Sequence, residues 1–132
     1  MERKFIVFVV AMLILTSLLA GCGQQKPAPV EVKVTLSEFK IEASPVSVPA
    51  NTPIKFVVTN AGTLPHEMVL EKKGDVDKPL EVNNVQAEAG DIDPGKIKVL
   101  EWTVTEPGEY QLGCHVPGHF EAGMTIPFTV TK

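Results

Sequence analysis

Three side chains that commonly bind metal ions lie close together near the end of the chain. The segment GCHVPGHFEAGM, residues 113–124, contains Cys114, His119 and Met124, with four residues between each successive pair. A thiolate and an imidazole suit copper or zinc, and a weak thioether favours copper. Two histidines, one cysteine and a distant axial methionine are typical of copper sites that transfer electrons. The spacing therefore predicts that one short loop supplies most of a site for a single ion.

Such a site needs a second histidine from another part of the chain. The chain has 3 histidines, and His66, in the segment TLPHE, is the one outside the loop. It lies at a predicted boundary between a loop and a strand, and a β-sandwich could bring that boundary beside the last hairpin. Met68 follows two residues later, on the same face of a strand, and is predicted to be a core residue.

His115 is the competing candidate, because it directly follows the cysteine. The run Cys-His-x3-His-x4-Met also resembles the copper segment of multicopper oxidases, in which this histidine binds a second copper cluster. That cluster needs many more histidines than the 3 present here. Strand alternation also turns His115 away from the side of Cys114. It is predicted to be a surface histidine, with a protonation-dependent contact or an electron exit route beside the sulfur as the alternatives. Glu121 is predicted to be a solvated carboxylate.

The rest of the sequence predicts an all-β domain that could hold these side chains. Val30–Leu36 alternates apolar and polar residues, as a half-buried strand does, and turn signals recur about every ten residues. The pattern at residues 80–90 is compatible with a short helix or a long loop, and both alternatives stay open. Seven or eight short strands predict an antiparallel β-sandwich. The other candidate strands are 39–41, 46–48, 54–59, 66–70, 96–104, 109–114 and 125–131.

The first residues have the pattern of an export signal. Arg3 and Lys4 precede an apolar run, 5–19, which is too short for a membrane span of roughly 20 residues. The run ends in Leu-Ala-Gly followed by Cys22, which resembles the bacterial lipobox, where the cysteine is lipidated. We therefore expect a signal peptide at 1–21, a tether at 22–29 and one domain at 30–132, held by lipid on the outer face of the cell membrane or in the periplasm.

The charge excludes some partners. The net charge is −4, and beyond residue 21 the chain has no arginine. No basic patch is visible, so nucleic acid is not an expected partner. If Cys22 carries lipid, Cys114 has no disulfide partner within the chain. A lone exported thiol is open to oxidation unless it is occupied, and a metal ion would occupy it.

The segments CHVPGHFEAGM and LPHEMVL resemble the copper-binding segments of the cupredoxins, the type 1 blue copper proteins that include azurin, auracyanin and plastocyanin. The resemblance implies a Greek-key β-sandwich of seven to eight strands. It implies one type 1 copper ion with His66, Cys114 and His119 as strong ligands and Met124 as the axial ligand. Cupredoxins often have asparagine after the first histidine, tying the two ligand loops together. Glu67 stands there in this chain, and its backbone N–H is expected to donate to the Cys114 sulfur.

A site with four protein ligands leaves no open position for a substrate. We therefore expect an electron carrier rather than an enzyme, with His119 as the exit and a redox protein such as a cytochrome or a terminal oxidase or reductase as partner. An apolar docking face is expected around His119. The alternatives are copper delivery, storage or resistance, and a metal-free adhesive or scaffolding sandwich. The expected docking residues are Leu64, Pro65, Val116, Pro117 and Phe120.

Overall fold

The computed structural model describes residues 27–132 and shows two four-stranded sheets built from short strands. The strands are β1 Val30–Ser37, β2 Lys40–Ser44, β3 Ser47–Pro49, β4 Pro53–Asn60, β5 Val69–Lys72, β6 Glu81–Val82, β7 Val85–Gln86, β8 Ile97–Thr103, β9 Gly108–Gly113 and β10 Thr125–Thr131. One sheet has the order β2-β1-β4-β8 and the other β3-β10-β9-β5, while β6 and β7 form a small hairpin. Among the described residues there is no helix that is long and apolar enough to cross a membrane.

The core lies between the two sheets, and alternation along the strands produces it. In β4, Ile54, Phe56 and Val58 are buried and the residues between them are partly exposed. Phe56 meets Phe128 of the facing sheet, with ring centroids 5.6 Å apart. Met68 is a fully buried member of the same core, as predicted. The all-β sandwich is therefore confirmed.

The expectation that the sandwich is purely antiparallel is wrong. β1 pairs with β4 in parallel, and β10 pairs with β3 in parallel. After the hairpin of β1 and β2 the chain crosses to the other sheet, where it forms β3. Alternation along a strand indicates which of its faces is buried, but it carries no information about which distant strand becomes the neighbour.

Two local predictions also need correction. Residues 80–90 form neither a helix nor a plain loop, because β6 and β7 pair across Asn83 and Asn84. Both asparagines have positive φ, at 52° and 63°, as a tight two-residue hairpin turn requires. The strand predicted at 66–70 begins only at Val69, and His66 instead forms an isolated bridge with Ile92.

Several strands end or begin at one end of the sandwich. β4 and β9 end there, β5 and β10 begin there, and the turn between β1 and β2 lies beside them. The chemistry-bearing residues sit on the loops that follow these strands. The two sheets thus supply a rigid frame, and the loops at this end build the site.

Candidate metal centre

The loop that carries His66 is held by a buried asparagine at the end of β4. Asn60 Nδ2 donates to the carbonyls of Leu64 and Ile92, both at 2.8 Å, and its Oδ1 accepts from the Gly62 N–H at 2.8 Å. Ile92 in turn exchanges two backbone hydrogen bonds with His66, at 3.2 and 2.7 Å. These bonds fix the backbone on both sides of His66.

The second loop carries the other three candidate ligands. Cys114 directly follows β9, and its N–H donates to the Met124 carbonyl at 3.1 Å. Met124 N–H donates to the His119 carbonyl at 3.0 Å, which closes the loop on itself. Gly118 and Gly123 turn the chain with φ values of 85° and 95°, a region that glycine enters without steric cost.

The structure brings His66, Cys114 and His119 into one buried cluster. Nδ1 of His66 lies 3.2 Å from Nδ1 of His119. The Cys114 sulfur lies 3.5 Å from Nδ1 of His119 and 4.0 Å from Nδ1 of His66. The three ligand atoms all lie within 4.8 Å of one another, and no other such group of histidine, cysteine and acidic side chains occurs among residues 27–132.

These separations fit one metal ion. Ion-to-nitrogen bonds of about 2.0 Å and ion-to-sulfur bonds of about 2.3 Å place the ligand atoms of a trigonal or tetrahedral site roughly 3.3–3.8 Å apart. The three observed distances lie inside this range or no more than about 0.2 Å outside it. Met124 is fully buried and bonded through its backbone to both Cys114 and His119. The donor set of two nitrogens, a thiol and a thioether favours copper over harder ions.

Burial disfavours the charged forms of Cys114 and His66 when no metal is bound. Burial raises the pKa of the Cys114 thiol, and hydrogen bonds from the backbone N–H groups of Glu67 and Val116 offset this only in part. Burial, followed by the nearby His119, lowers the pKa of His66. At neutral pH the empty cluster therefore holds a protonated thiol and a neutral His66, so that an arriving metal ion must displace a proton from sulfur.

Glu67 ties the two ligand loops together. Its backbone N–H points at the Cys114 sulfur over 3.5 Å, as the sequence predicts. Its carboxylate accepts the backbone N–H of His115 at 2.9 Å. Burial raises the pKa of this carboxyl group. In this chain a glutamate thus makes the contact between the two ligand loops that an asparagine often makes in cupredoxins.

His115 is not a surface residue, contrary to the prediction. Its side chain is 6% exposed, and Nε2 lies 3.0 Å from Oε1 of the fully buried Glu71. The ring stacks on Phe120 with centroids 4.6 Å apart. It does point away from the cluster, as strand alternation predicts. A Cβ on Gly113 would lie 3.1 Å from His115 Nε2 and 3.2 Å from Glu71 Oε1, so both side chains would have to shift by a few tenths of an ångström to admit it.

Glu71 is the buried carboxylate that the sequence reading missed. Gln111 Nε2 donates to its Oε1 at 2.9 Å and the Lys78 N–H donates to its Oε2 at 3.0 Å. The Asp77 N–H also approaches Nε2 of His115, at 3.3 Å. The group therefore anchors the loop after β5 against β9. Glu71 directly follows the apolar residues Val69 and Leu70 in the strand Val69–Lys72, and a glutamate next to this apolar pair was the available signal.

The predicted docking residues divide into exposed and partly buried ones. Leu64 is 46% exposed, and Pro65 and Pro117 are exposed as well. Val116 and Phe120 are only partly exposed, since Val116 packs against the core and Phe120 stacks on His115. Glu121 is exposed, as predicted. Cys22, the predicted lipid attachment site, lies outside the described residues.

Phe39 is a further residue at this end that the sequence reading misplaced. It was predicted to begin a strand, but it lies in the turn before β2. Its ring meets His119 edge-on, with centroids 5.4 Å apart and an interplanar angle of 72°. His119 is consequently 7% exposed. His119, which was expected to be the exit for the electron, is therefore largely covered.

Comparison with known proteins agrees with this geometry. The profile of a family described as a cupredoxin-like domain matches residues 5–126. The copper-resistant cuproprotein CopI of Rubrivivax gelatinosus is 27% identical over 110 residues, which are 77% of this chain and 67% of that protein. CopI of Vibrio cholerae is 30% identical over 86 residues, which are 60% of this chain and 51% of that protein.

A solved structure shows the same fold. Reduced auracyanin from the photosynthetic bacterium Roseiflexus castenholzii superposes with a TM-score of 0.65 at 20% identity, over 80% of this chain and 99% of that one. At this level of identity the likeness concerns the sandwich alone.

Proposed function

Because the chain belongs to the cupredoxin-like domain family and its cofactor is one copper ion, we propose that it carries single electrons between redox proteins outside the cytoplasm. His66, Cys114, His119 and Met124 would hold the copper. Copper bound in such a site supplies one-electron cycling between Cu(II) and Cu(I). The observation that carries the proposal is the closure of the site. His66, Cys114 and Met124 are fully buried and His119 is 7% exposed.

Closure favours electron transfer over catalysis for a physical reason. A catalytic metal keeps a position open for substrate or water, whereas here four side chains crowd one buried position. The backbone bonds around His66 and within the 114–124 loop hold these side chains in place whatever the oxidation state. When the ligands cannot move far, the site rearranges little between Cu(II) and Cu(I). Such a site suits an electron carrier, which needs no enzymatic activity.

The exposed apolar residues around His119 support a docking surface for the redox partner. Phe39 and Leu64, at this end of the sandwich, are both about half exposed, at 51% and 46%. Pro65 and Pro117 extend the same surface. Exposed apolar patches of this kind mark interaction sites. With a net charge of −4, the chain suits a basic partner such as a cytochrome or an oxidase domain.

The proposal also includes the place of action. The lipobox-like Leu-Ala-Gly-Cys22 after a basic and apolar start supports export and attachment by lipid to the outer face of the bacterial membrane. Growth with labelled palmitate tests this, because wild type is expected to take up label and Cys22→Ser is expected not to. Equal labelling of both would contradict the anchor.

One optical and kinetic experiment tests electron transfer. The copper-loaded Cu(II) protein is expected to absorb red light strongly through its thiolate, and mixing Cu(I) and Cu(II) forms is expected to give fast electron self-exchange. Leu64→Glu is expected to slow self-exchange, whereas Val82→Glu, at an exposed valine of the β6–β7 hairpin, is expected to leave it unchanged. A colourless Cu(II) protein, or exchange too slow to measure, would contradict an electron carrier.

Copper handling for resistance is the second candidate. It is favoured by the two relatives named copper-resistant cuproproteins, which match 77% and 60% of this chain. For that function, copper must leave the protein readily for an acceptor. Rapid transfer of Cu(I) from the wild-type protein to a competing chelator, together with slow electron exchange, would favour this candidate over the first.

A further inference from the structure

The turn between β1 and β2 reaches both histidines of the copper site. It consists of Glu38 and Phe39, which belong to neither strand. Phe39 has a φ of 57°, a left-handed backbone conformation that is unfavourable for a bulky side chain. Its side chain is nevertheless 51% exposed. Burial of the ring in the core therefore does not account for a backbone conformation that costs free energy.

Phe39 covers the one ligand that approaches the surface. His119 is 7% exposed, whereas His66, Cys114 and Met124 are fully buried. The shortest way from the metal position to solvent therefore lies beside His119. The Phe39 ring stands edge-on to this imidazole at a centroid distance of 5.4 Å. Rotation of His119 away from the metal would require Phe39 to move first.

Glu38 fastens the same turn to the loop that carries the other histidine. Its Oε1 accepts from the Thr63 N–H and from Thr63 Oγ1, the latter at 2.8 Å. The backbone hydrogen bond from Thr63 lowers the pKa of the Glu38 carboxyl group to about 2, so the side chain is anionic at neutral pH. Thr63 lies three residues before His66, so the turn and the His66 loop are linked directly.

The Glu38 carboxylate also faces His66 across a glycine. A Cβ on Gly62 would lie 2.8 Å from Glu38 Oε1 and 3.0 Å from His66 Nε2. Nε2 of His66 is buried and has no hydrogen-bond partner among the described residues. A metal on Nδ1 leaves the proton on Nε2, and metal-bound histidines commonly direct this N–H towards a carboxylate. The absence of a side chain on Gly62 thus leaves the Glu38 carboxylate and this buried, unpaired ring nitrogen facing the same space.

We propose that the Glu38–Phe39 turn is a clamp on both histidine ligands that slows the release of copper. Phe39 restrains His119, and Glu38 holds the His66 loop and places a negative charge near its ring N–H. The inference rests on the copper site of the proposed function. Glu38 and Phe39 would then be positioning residues, which hold the two histidines in place without binding copper themselves.

The test measures copper release from the full-length protein. Cu(I)-loaded protein is mixed with excess bicinchoninate, and the coloured Cu(I) complex is followed by stopped flow. Phe39→Asn removes the ring but keeps a residue that accepts a left-handed backbone. It is expected to release copper roughly threefold to tenfold faster, the factor that corresponds to the loss of one aromatic pair. Phe39→Leu is expected to show a smaller increase. Val46→Asn, at an exposed valine before β3, is the control.

Two further variants address Glu38. Glu38→Gln keeps an acceptor for Thr63 but removes the charge, and Glu38→Ala removes the acceptor as well. Both are expected to release copper faster than wild type while keeping the red thiolate absorption. Release within twofold of wild type for Phe39→Asn and Glu38→Gln alike would overturn the clamp. Absence of the thiolate absorption in wild type would contradict the copper site itself, so the two failures are distinguishable.

Discussion

The carboxylate of Glu67 accepts the backbone N–H of His115 at 2.9 Å. Glu67 directly follows the candidate ligand His66, and His115 directly follows the candidate ligand Cys114, so this contact joins the two ligand loops. The same Glu67 presents its backbone N–H to the Cys114 sulfur over 3.5 Å. One residue therefore sets both the separation of the two ligand loops and a hydrogen bond to the thiolate.

Removal of the Glu67 carboxylate is expected to loosen the site. Glu67→Ala leaves the His115 N–H without its acceptor, which costs about 1–3 kcal/mol of unfolding free energy. Glu67→Gln keeps an acceptor oxygen and is expected to retain the wild-type thiolate absorption. Chemical unfolding of the metal-free protein and the Cu(II) spectrum measure the two effects. Identical behaviour of the two variants would show that the cross-loop bond is unimportant.

The same group gives a pH dependence of defined sign. Burial raises the pKa of Glu67 above 4.5 in the folded state. This group therefore stabilises the fold below about pH 4.5, and that contribution is lost as pH rises through the raised pKa. Glu67→Gln is thus expected to gain stability relative to wild type as the pH rises from about 4 to 7. The difference in unfolding midpoint between the two metal-free proteins, followed against pH, tests the sign.

The two histidines of the ligand loop are expected to respond oppositely to replacement. His119→Ala removes a ligand atom 3.5 Å from the Cys114 sulfur and is expected to abolish the red thiolate absorption. His115→Ala leaves all four candidate ligands in place and is expected to keep it. Cys114→Ser provides the colourless reference. Loss of colour in His115→Ala with an intact fold would instead make His115 a ligand.

Glu71 is expected to matter for stability rather than for colour. It is fully buried, accepts from the Gln111 side chain and the Lys78 backbone N–H, and lies 3.0 Å from Nε2 of His115. Glu71→Ala removes this acceptor, and each buried donor left unpaired is expected to cost about 1–3 kcal/mol of unfolding free energy. Glu81→Ala, at an exposed glutamate in β6, is the control. Unfolding in urea measures both, and equal midpoints would contradict a structural role for Glu71.

Metal binding at neutral pH is expected to release about one proton, since the ligand must be deprotonated. The raised pKa of the Cys114 thiol means that this proton comes from sulfur, and the lowered pKa of His66 means that its imidazole is already neutral. Apparent affinity should therefore rise about tenfold per pH unit below the thiol pKa. Calorimetry of Zn(II) binding in buffers of different ionisation enthalpy counts the protons. A count of zero would require a thiolate in the metal-free protein.

The sequence alone was enough to predict the candidate ligands because the spacing of three of them is local. Cys114, His119 and Met124 lie on one loop, and the scarcity of histidines left His66 as the remaining partner. Alternation likewise predicted most strands, since burial on one face leaves a period of two in the sequence. The direction in which His115 points followed from the same rule.

Only the tertiary structure decided what surrounds these ligands. The parallel pairing of β1 with β4, the burial of His115 on Glu71 and the cover of Phe39 over His119 each join residues that are 24 or more positions apart. Contacts at such separations depend on how two sheets pack and where their loops meet. Hydrophobic alternation specifies a face of each strand, but it does not specify which distant side chain will lie against it.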